Sequence, residues 1–439
     1  MRSNSINKYF GITTFGESHS KYMGLVIEDV RPQINFPFEE LKKALSKRKP
    51  GQTKFSSTRK EDDTFEVISG VFEGKTTGMP ICILFSNQDA QSKDYENLKN
   101  LFRPGHADYS WWQKFKIFDY RGGGRSSGRE TIARVAAGAY VQMILGDLHL
   151  LSYPIQIGTV HAQQIEPNFL LNNSLRWPDH SNYEQVLSYL EQIQAEEDSV
   201  GACVELMIKN MPTGLGDPVF EKLDANLAKA IMSIGGVKGI AFGSGFSFGQ
   251  MKGSEANDQM TKYGFRTNHQ GGVAGGVSNG NDLVIHIAIK PVSSIGKKQK
   301  TITFEQQEVD MKITGRHDLC LVPRILPVLE SMVQLVLADA IAYQRLISGE
   351  AENLNQLREI VDHIDQDILI ALYRRMQVVK QIGNYKQKNN LPLSDLTREK
   401  ELLGRINNFA EDLHLSSDWV KRIWQLILNE SKKVQEVSH

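Results

Sequence analysis

The chain has 439 residues, with 51 Lys and Arg against 51 Asp and Glu and 40% hydrophobic residues. That length exceeds one ordinary core and predicts two or three domains, while the balanced charge argues against a general nucleic-acid binder. Three cysteines, Cys82, Cys203 and Cys320, lie far apart without a CxxC pair, which fits a reducing compartment and argues against structural zinc.

The opening MRSNSINKYFGITTFGESHS has no apolar stretch of the kind found in a secretory signal, so a cytoplasmic protein is expected. Within it, His19 stands among Gly16, Glu17, Ser18 and Ser20. VIEDV (26–30) reads as a strand. In PFEELKKALSKRKPG (37–51), Pro37 and the acids open a helix, the bases close it, and Pro50-Gly51 end it. Between Leu41 and Lys60 stand eight bases and no acid. Such a run is an electrostatic funnel for a polyanion, or a solvated helix end followed by a basic loop. His106, in RPGHAD, follows a Pro-Gly turn beside Arg103 and Asp108. Histidine is the side chain best suited to moving protons near neutral pH.

RGGGRSSGRET (121–131) packs three glycines and two serines among Arg121, Arg125 and Arg129. Glycines let the backbone approach a ligand and turn N–H groups into one concavity, which suits phosphate or carboxylate. Alone, such a stretch is as readily a surface loop. A helix is predicted over RETIARVAAGAYVQMIL (129–145), and strands over GIAF (239–242) and LVIHIAIK (283–290). GRHDLCLVPR gathers Arg316, His317, Asp318 and Arg324 ahead of a long helix, RILPVLESMVQLVLADAIAYQRLIS, stopped by Gly349. Its most apolar part, Ile325 to Tyr343, includes Glu330, Gln334 and Asp339, too polar for a membrane span. Strands interleaved with helices give an α/β or α+β domain.

FGESHS, KRKPGQ, EDDTFEVISGVFEGKTTGMPI, SKDY, FRPGHADYS, RGGGRSSGRET, GDPVFEKLDA, GGVAGGVSNG, IKPVSSI and GRHD occur in the order found in chorismate synthase, which residues 5 to 345 resemble. The resemblance implies an α+β fold, a β–α–β sandwich, in a homotetramer that binds reduced FMN. It implies conversion of 5-enolpyruvylshikimate 3-phosphate to chorismate, with loss of phosphate and a hydrogen in a 1,4 relationship. His19 and His106 match the family's acids, and Asp318 a position beside the flavin ring. Arg125, Ser126, Ser127, Gly235, Gly236, Gly275, Lys290, Pro291, Val292, Ser293, Ser294 and Arg316 match its FMN-binding positions. Arg48 and Lys54 match positions assigned to NADP in some members, so NADPH is a candidate reductant. Lys54 stands where arginine is common and lacks the planar fork. Ser20 and Leu319 replace a usual glycine and proline. No metal is implied.

After Gly349 the pattern changes. EAENLNQ (350–356) is a polar joint, and apolar residues then recur at 357, 360, 364, 368, 372, 376, 379 and 382, a helical stripe. About thirty helical residues reach roughly 45–50 Å. Pro392 interrupts; SDLTREKELLGRINNFAEDL gives a second helix capped by Ser394 or Asp395, and SSDWVKRIWQLILNESKKVQ a third. Arg375 and Lys386 project from nearly the same side as Ile368 and Val379, where a cation is costly unless an anion meets it. Arg358 precedes Arg375 by seventeen residues, roughly 25 Å along a helix. If the two share a small ligand, Arg358 comes from a second, antiparallel chain. A plain helical bundle for oligomerisation is the other reading.

The stretch LREIVDHIDQDILIALYRRMQVVKQIGNYKQKNNLPLSDLTREKELLGRI resembles the all-α chorismate mutase family, as does the sequence onward to Gln435. The resemblance places Arg358, Arg375, Lys386 and Arg398 at positions that hold two carboxylates and an ether oxygen. Asp395 and Glu399 match positions near the ring hydroxyl, with Ser431 and Gln435 on the last helix. It implies an intertwined dimer and a cofactor-free Claisen rearrangement of chorismate to prephenate. Some relatives carry glutamate at the Gln435 position and need acid pH. The expected organisation is a synthase domain at 1–348, a linker at 349–356 and a mutase domain at 357–439. Together they make a bifunctional shikimate-pathway enzyme, lyase and isomerase, of aromatic amino acid biosynthesis. Two alternatives stay open: a tail that only senses ligand or oligomerises, and a flavin-dependent redox enzyme with net NADPH consumption. Neither nucleic acid nor membrane is an expected partner.

Overall fold

The computed structural model describes residues 3–49, 51, 53–56, 63–87, 98–117, 119–313, 318–348, 354–389, 391–392, 395–412 and 415–436. The chain divides into two compact units, Met1–Ser348 and Gly349–His439.

The first unit carries two five-stranded antiparallel sheets. One contains β1 (Ser5–Ile6), β2 (Ile12–Gly16), β3 (Tyr22–Ile27), β4 (Phe65–Ser69) and β5 (Ile81–Ser86), in the order β1-β2-β3-β5-β4. The other contains β6 (His149–Ile157), β7 (Val160–His161), β8 (Ala202–Lys209), β9 (Val237–Phe242) and β10 (Leu283–Ile289), in the order β9-β10-β8-β6-β7. Alternation dictates which face is buried. Ile81, Ile83 and Phe85 of β5 point inward, as do Val204, Leu206 and Ile208 of β8 and Leu283, Ile285 and Ile287 of β10. Leu206 pairs with Ile285 on one side and Ser152 on the other, fixing that register.

Four helices dominate the filling: α1 (Phe38–Arg48), α2 (Thr131–Val141), α3 (Leu223–Met232) and α4 (Val322–Ile347). α2 packs on α4, α1 and the first sheet, while α4 packs on the second sheet. The result is a β–α–β sandwich of the α+β class. α2 is buried from Thr131 to Val141 apart from Arg134, and so is hydrophobic nearly all round. α4 is long and apolar enough to cross a membrane by length and composition, but most of its apolar stretch is buried in the unit. Several predicted boundaries shift: α4 starts at Val322 rather than Arg324, and the first C-terminal helix starts at Leu354, inside the expected 349–356 linker. The strand ends at Ile27, because Asp29 turns into the left-handed region at φ 60°. The helix expected from Arg129 starts at Thr131, after two single 3₁₀ turns.

The second unit is all-helical: α5 (Leu354–Lys388), α6 (Leu396–Asp412) and α7 (Ser417–Glu436). Asp395 caps α6, accepting the Arg398 N–H at 2.9 Å. α7 packs against both other helices. The α5 stripe divides: Val379 is buried, whereas Ile364 and Ile368 are 49% and 51% exposed.

Candidate active sites

In the first unit the chemistry collects where the loops after β2 and β5 meet the segments preceding α2 and following β10. Gly122 shows why this needs glycine. Its φ is +74°, and a Cβ there would lie 2.4 Å from Cε1 of His19. Gly123 and Gly124 also have positive φ, so the chain leaves any helical path and lies against the imidazole. His19 is half-buried, with Nδ1 3.1 Å from Ser18 Oγ. A Cβ on Gly123 would be 3.5 Å from the Arg103 guanidinium, so the same loop separates His19 from Arg103.

Arg103 is buried and forked onto Asp108, with Nε–Oδ2 2.7 Å and Nη2–Oδ1 2.9 Å. His106 lies in the turn between them. Its Nδ1 is 2.9 Å from the Pro104 carbonyl and its Nε2 3.1 Å from Ser294 Oγ. A carbonyl only accepts, so Nδ1 carries the hydrogen; in the neutral ring Nε2 then accepts from the Ser294 hydroxyl. Burial pushes the His106 pKa down, and the Arg103 charge adds to this. Gly105 (φ +70°) would clash at 2.8 Å with Ser293 Oγ if it bore a Cβ. Lys290 Nζ donates to the Gly105 carbonyl at 2.6 Å and to Ser293 Oγ at 2.7 Å. Gly236 accepts the Lys290 N–H at 2.9 Å, and the Val292 carbonyl takes Ser199 Oγ at 2.7 Å. Thus Gly236, the run 290–294 and the His106 turn form one bonded cradle, with open space at the Cβ position of Gly235.

A second cluster adjoins it. Asp63, fully buried at its side chain, takes Arg48 on Oδ2 at 2.8 Å and Arg129 on Oδ1. Arg48 is 1% exposed, and its Nε–H has no hydrogen-bond partner among the described residues. Burial lowers its pKa against the pull of Asp63, and the Arg324 and Arg129 charges lower it further. Arg324 in turn pairs with buried Asp318 at 2.6 Å. Arg129 also donates to Asn87 Oδ1 at 3.1 Å, and Asn87 Nδ2 donates to the Glu17 and Ser20 carbonyls flanking His19. Asp63 and Asn87 are members of this network that the sequence reading did not single out.

Other predicted positions go elsewhere. Arg125 donates to Thr14 Oγ1 at 2.7 Å and to the Gly16 carbonyl at 3.3 Å. Ser126 Oγ closes onto the Gly123 carbonyl, and Ser127 Oγ caps the next turn. Gly275 turns a short hairpin with open space at its Cβ position. Lys54 pairs with Glu191 at the surface. Arg316 lies outside the described residues.

In the second unit, Arg375 of α5 donates to Ser431 Oγ of α7, and Ser431 donates on to the Ile427 carbonyl. Burial lowers the Arg375 pKa. Gln435, one turn beyond, gives Nε2 to the Ser431 carbonyl at 3.3 Å and keeps a buried Oε1 without a partner among the described residues. Gly383 lets α5 approach it, since a Cβ there would sit 3.2 Å from Gln435 Cα. Lys386 is half-buried less than one turn further along α5. Glu399 pairs with Lys432, and exposed Arg398 pairs with Glu401 at 3.2 Å. Arg358 is exposed near the other end of α5. The unit therefore brings Arg375, Ser431 and Gln435 together and leaves Arg358 apart.

Comparison with known proteins yields two family matches: chorismate synthase over residues 10–342 and chorismate mutase type II over residues 357–436. The chain is 44% identical over 353 residues to the chorismate synthase of Syntrophus aciditrophicus (strain SB), covering 79% of this chain and 100% of that protein. It is 42% identical over 346 residues to that of Desulfatibacillum aliphaticivorans, covering 78% and 97%. A crystal structure of chorismate synthase superposes with a TM-score of 0.59 at 26% identity, covering 77% of this chain and 93% of that one.

Proposed function

This chain belongs to the chorismate synthase family and carries a chorismate mutase domain behind it, and from that premise we propose that its two sites act in sequence. The first makes chorismate from 5-enolpyruvylshikimate 3-phosphate, and the second rearranges chorismate to prephenate.

At the synthase site a substrate with one phosphate and two carboxylates calls for several fixed guanidinium groups. Arg48, Arg103, Arg129 and Arg324 supply them, each oriented by a carboxylate. The Arg48 Nε–H, without a partner among the described residues, supports the reading, since a buried donor needs an acceptor. The cradle of Gly235, Gly236 and 290–294 fits a phosphorylated flavin, with a lysine, hydroxyls and backbone free of side-chain bulk. When bound, reduced FMN supplies reversible electron transfer to a reaction with no net redox change. His106 Nε2, beside Ser294 in a ring that burial holds neutral, is the atom on which the chain takes up or returns a proton. His19, pressed against the glycine loop, is the second such group. The flavin is reduced by NADPH or a separate reductase; Arg48 turned inward to Asp63 and Lys54 held by Glu191 give little support to an NADP site there. Cys82, Cys203 and Cys320 are free thiols, which supports a cytoplasmic setting.

At the mutase site, Arg375 and Lys386 hold the carboxylates of a compact conformer, and Gln435 donates to the ether oxygen as charge develops there. Arg358 serves the partner chain's site in a dimer, and the exposed Ile364 and Ile368 give that chain a surface to cover. Around the synthase unit we expect the homotetramer of the family. The observation that carries the mutase reading is the Arg375–Ser431–Gln435 constellation, which sets a half-buried guanidinium and an amide together where α5 meets α7. Chorismate given alone, without flavin, is the test. Rapid prephenate formation, lost in Arg375→Ala, is expected; only the spontaneous rate would reduce the unit to a tether or sensor.

A further inference from the structure

Among the ion pairs of the mutase unit, one ties Glu399, a matched position, to Lys432, which is not among the eight matched residues. Lys432 Nζ lies 2.9 Å from Glu399 Oε1 and 3.0 Å from Oε2, joining α7 to α6. The pair is partly covered, with side-chain exposures of 38% and 23%. Lys432 follows Ser431, the acceptor of the Arg375 guanidinium, and precedes Gln435 by three residues. With 3.6 residues per turn, Ser431, Lys432 and Gln435 fall within about 100° of one another around α7. The lysine therefore stands at the edge of the constellation that holds the substrate.

Glu399 is an awkward residue there. A carboxylate beside cations that must bind a dicarboxylate competes with the ligand for them. It is useful only as an ionised acceptor held in one place. An ammonium bonded to both oxygens does this: it fixes the carboxylate in place and satisfies it from the α7 side. We propose that Lys432 is a positioning residue for the mutase reaction, fixing Glu399 as an acceptor for a substrate hydroxyl. The inference rests on the mutase reading above.

A double-mutant cycle in the full-length protein tests it, using prephenate formation from chorismate. Lys432→Met should raise KM about tenfold with a smaller change in kcat. In a Glu399→Gln background the same substitution should change KM less than about twofold, since no carboxylate remains to be held. Lys432→Arg should restore most of the loss. Equal losses in both backgrounds would overturn the proposal, because Lys432 would then act through its own charge. So would an unchanged KM in Lys432→Met, or a loss that follows a fall in the melting temperature of α5–α7. A wild-type protein without mutase activity would instead refute the reading on which the inference stands.

Discussion

Arg129 in the first unit and Arg375 in the second are both half-buried cations, yet their partners differ. Arg129 shares the Asp63 carboxylate with Arg48, while Arg375 is met by the Ser431 hydroxyl. A carboxylate fixes a guanidinium firmly but cancels much of its charge. A hydroxyl leaves the charge whole and the desolvation cost unmet until an anion arrives. The synthase unit thus sets several damped cations in fixed places. The mutase unit meets Arg375 with a hydroxyl, and leaves Arg358, Ile364 and Ile368 exposed. On the proposed reading, the first site is held by its own carboxylates, while the second is completed by its substrate and by a partner chain's Arg358.

The sharpest way to break this contrast is to remove the shared carboxylate. Asp63→Ala leaves buried Arg48 and half-buried Arg129 without their shared carboxylate, and should cost the first unit about 3–5 kcal/mol. An unshifted urea midpoint would show that Asp63 does not hold the cluster. Arg375→Ala should leave the helical unit folded, because only a hydroxyl loses its partner, yet lower prephenate formation about 10²–10³-fold. Synthase activity should not change. A parallel loss of both activities would mean that the units do not work separately.

Gln435→Glu sharpens the same point. An amide donates a hydrogen bond at any pH, whereas a carboxyl donates only when protonated. Wild-type mutase activity should stay level from pH 5 to 8. The variant should lose about tenfold per pH unit above its own pKa, ordinarily near 4.3. A wild-type rate confined to acid would remove Gln435 from the ether oxygen.

How much of this was legible in the sequence follows the same division. Alternating strands, the long α4 and the three C-terminal helices are written in periodicity, and His106, the glycine run and 290–294 in punctuated motifs. The pairing of the arginines is not. Spaced every fourth residue, Arg121, Arg125 and Arg129 suggest one face, but three positive-φ glycines unwind the segment. The arginines then diverge to Asp119, Thr14 and Asp63. Asp63 follows two further acids, Glu61 and Asp62, and nothing local says which one turns inward. Asn87 is a polar residue after a strand, and only the fold brings it between Arg129 and the His19 turn. On α5 a single stripe promised a single buried face; the sequence cannot show that part of it faces away from the chain's own helices.

The smallest effect concerns His106. Burial, then the Arg103 charge, hold its folded pKa below the ordinary value, with the Pro104 carbonyl pulling the other way. The unfolded chain therefore takes up a proton, near pH 6.5, where the folded unit does not. Stability should fall as pH drops through that value toward the lower folded pKa, by at most about 1.4 kcal/mol per pH unit for one group. His106→Gln should remove this share of the slope in urea denaturation between pH 7.5 and 5.5. The mutase unit's prephenate formation should be indifferent to the substitution. Should the slope survive unchanged, the imidazole is solvated in the folded unit, and the assignment of Nε2 as a neutral, desolvated base beside Ser294 loses its physical ground.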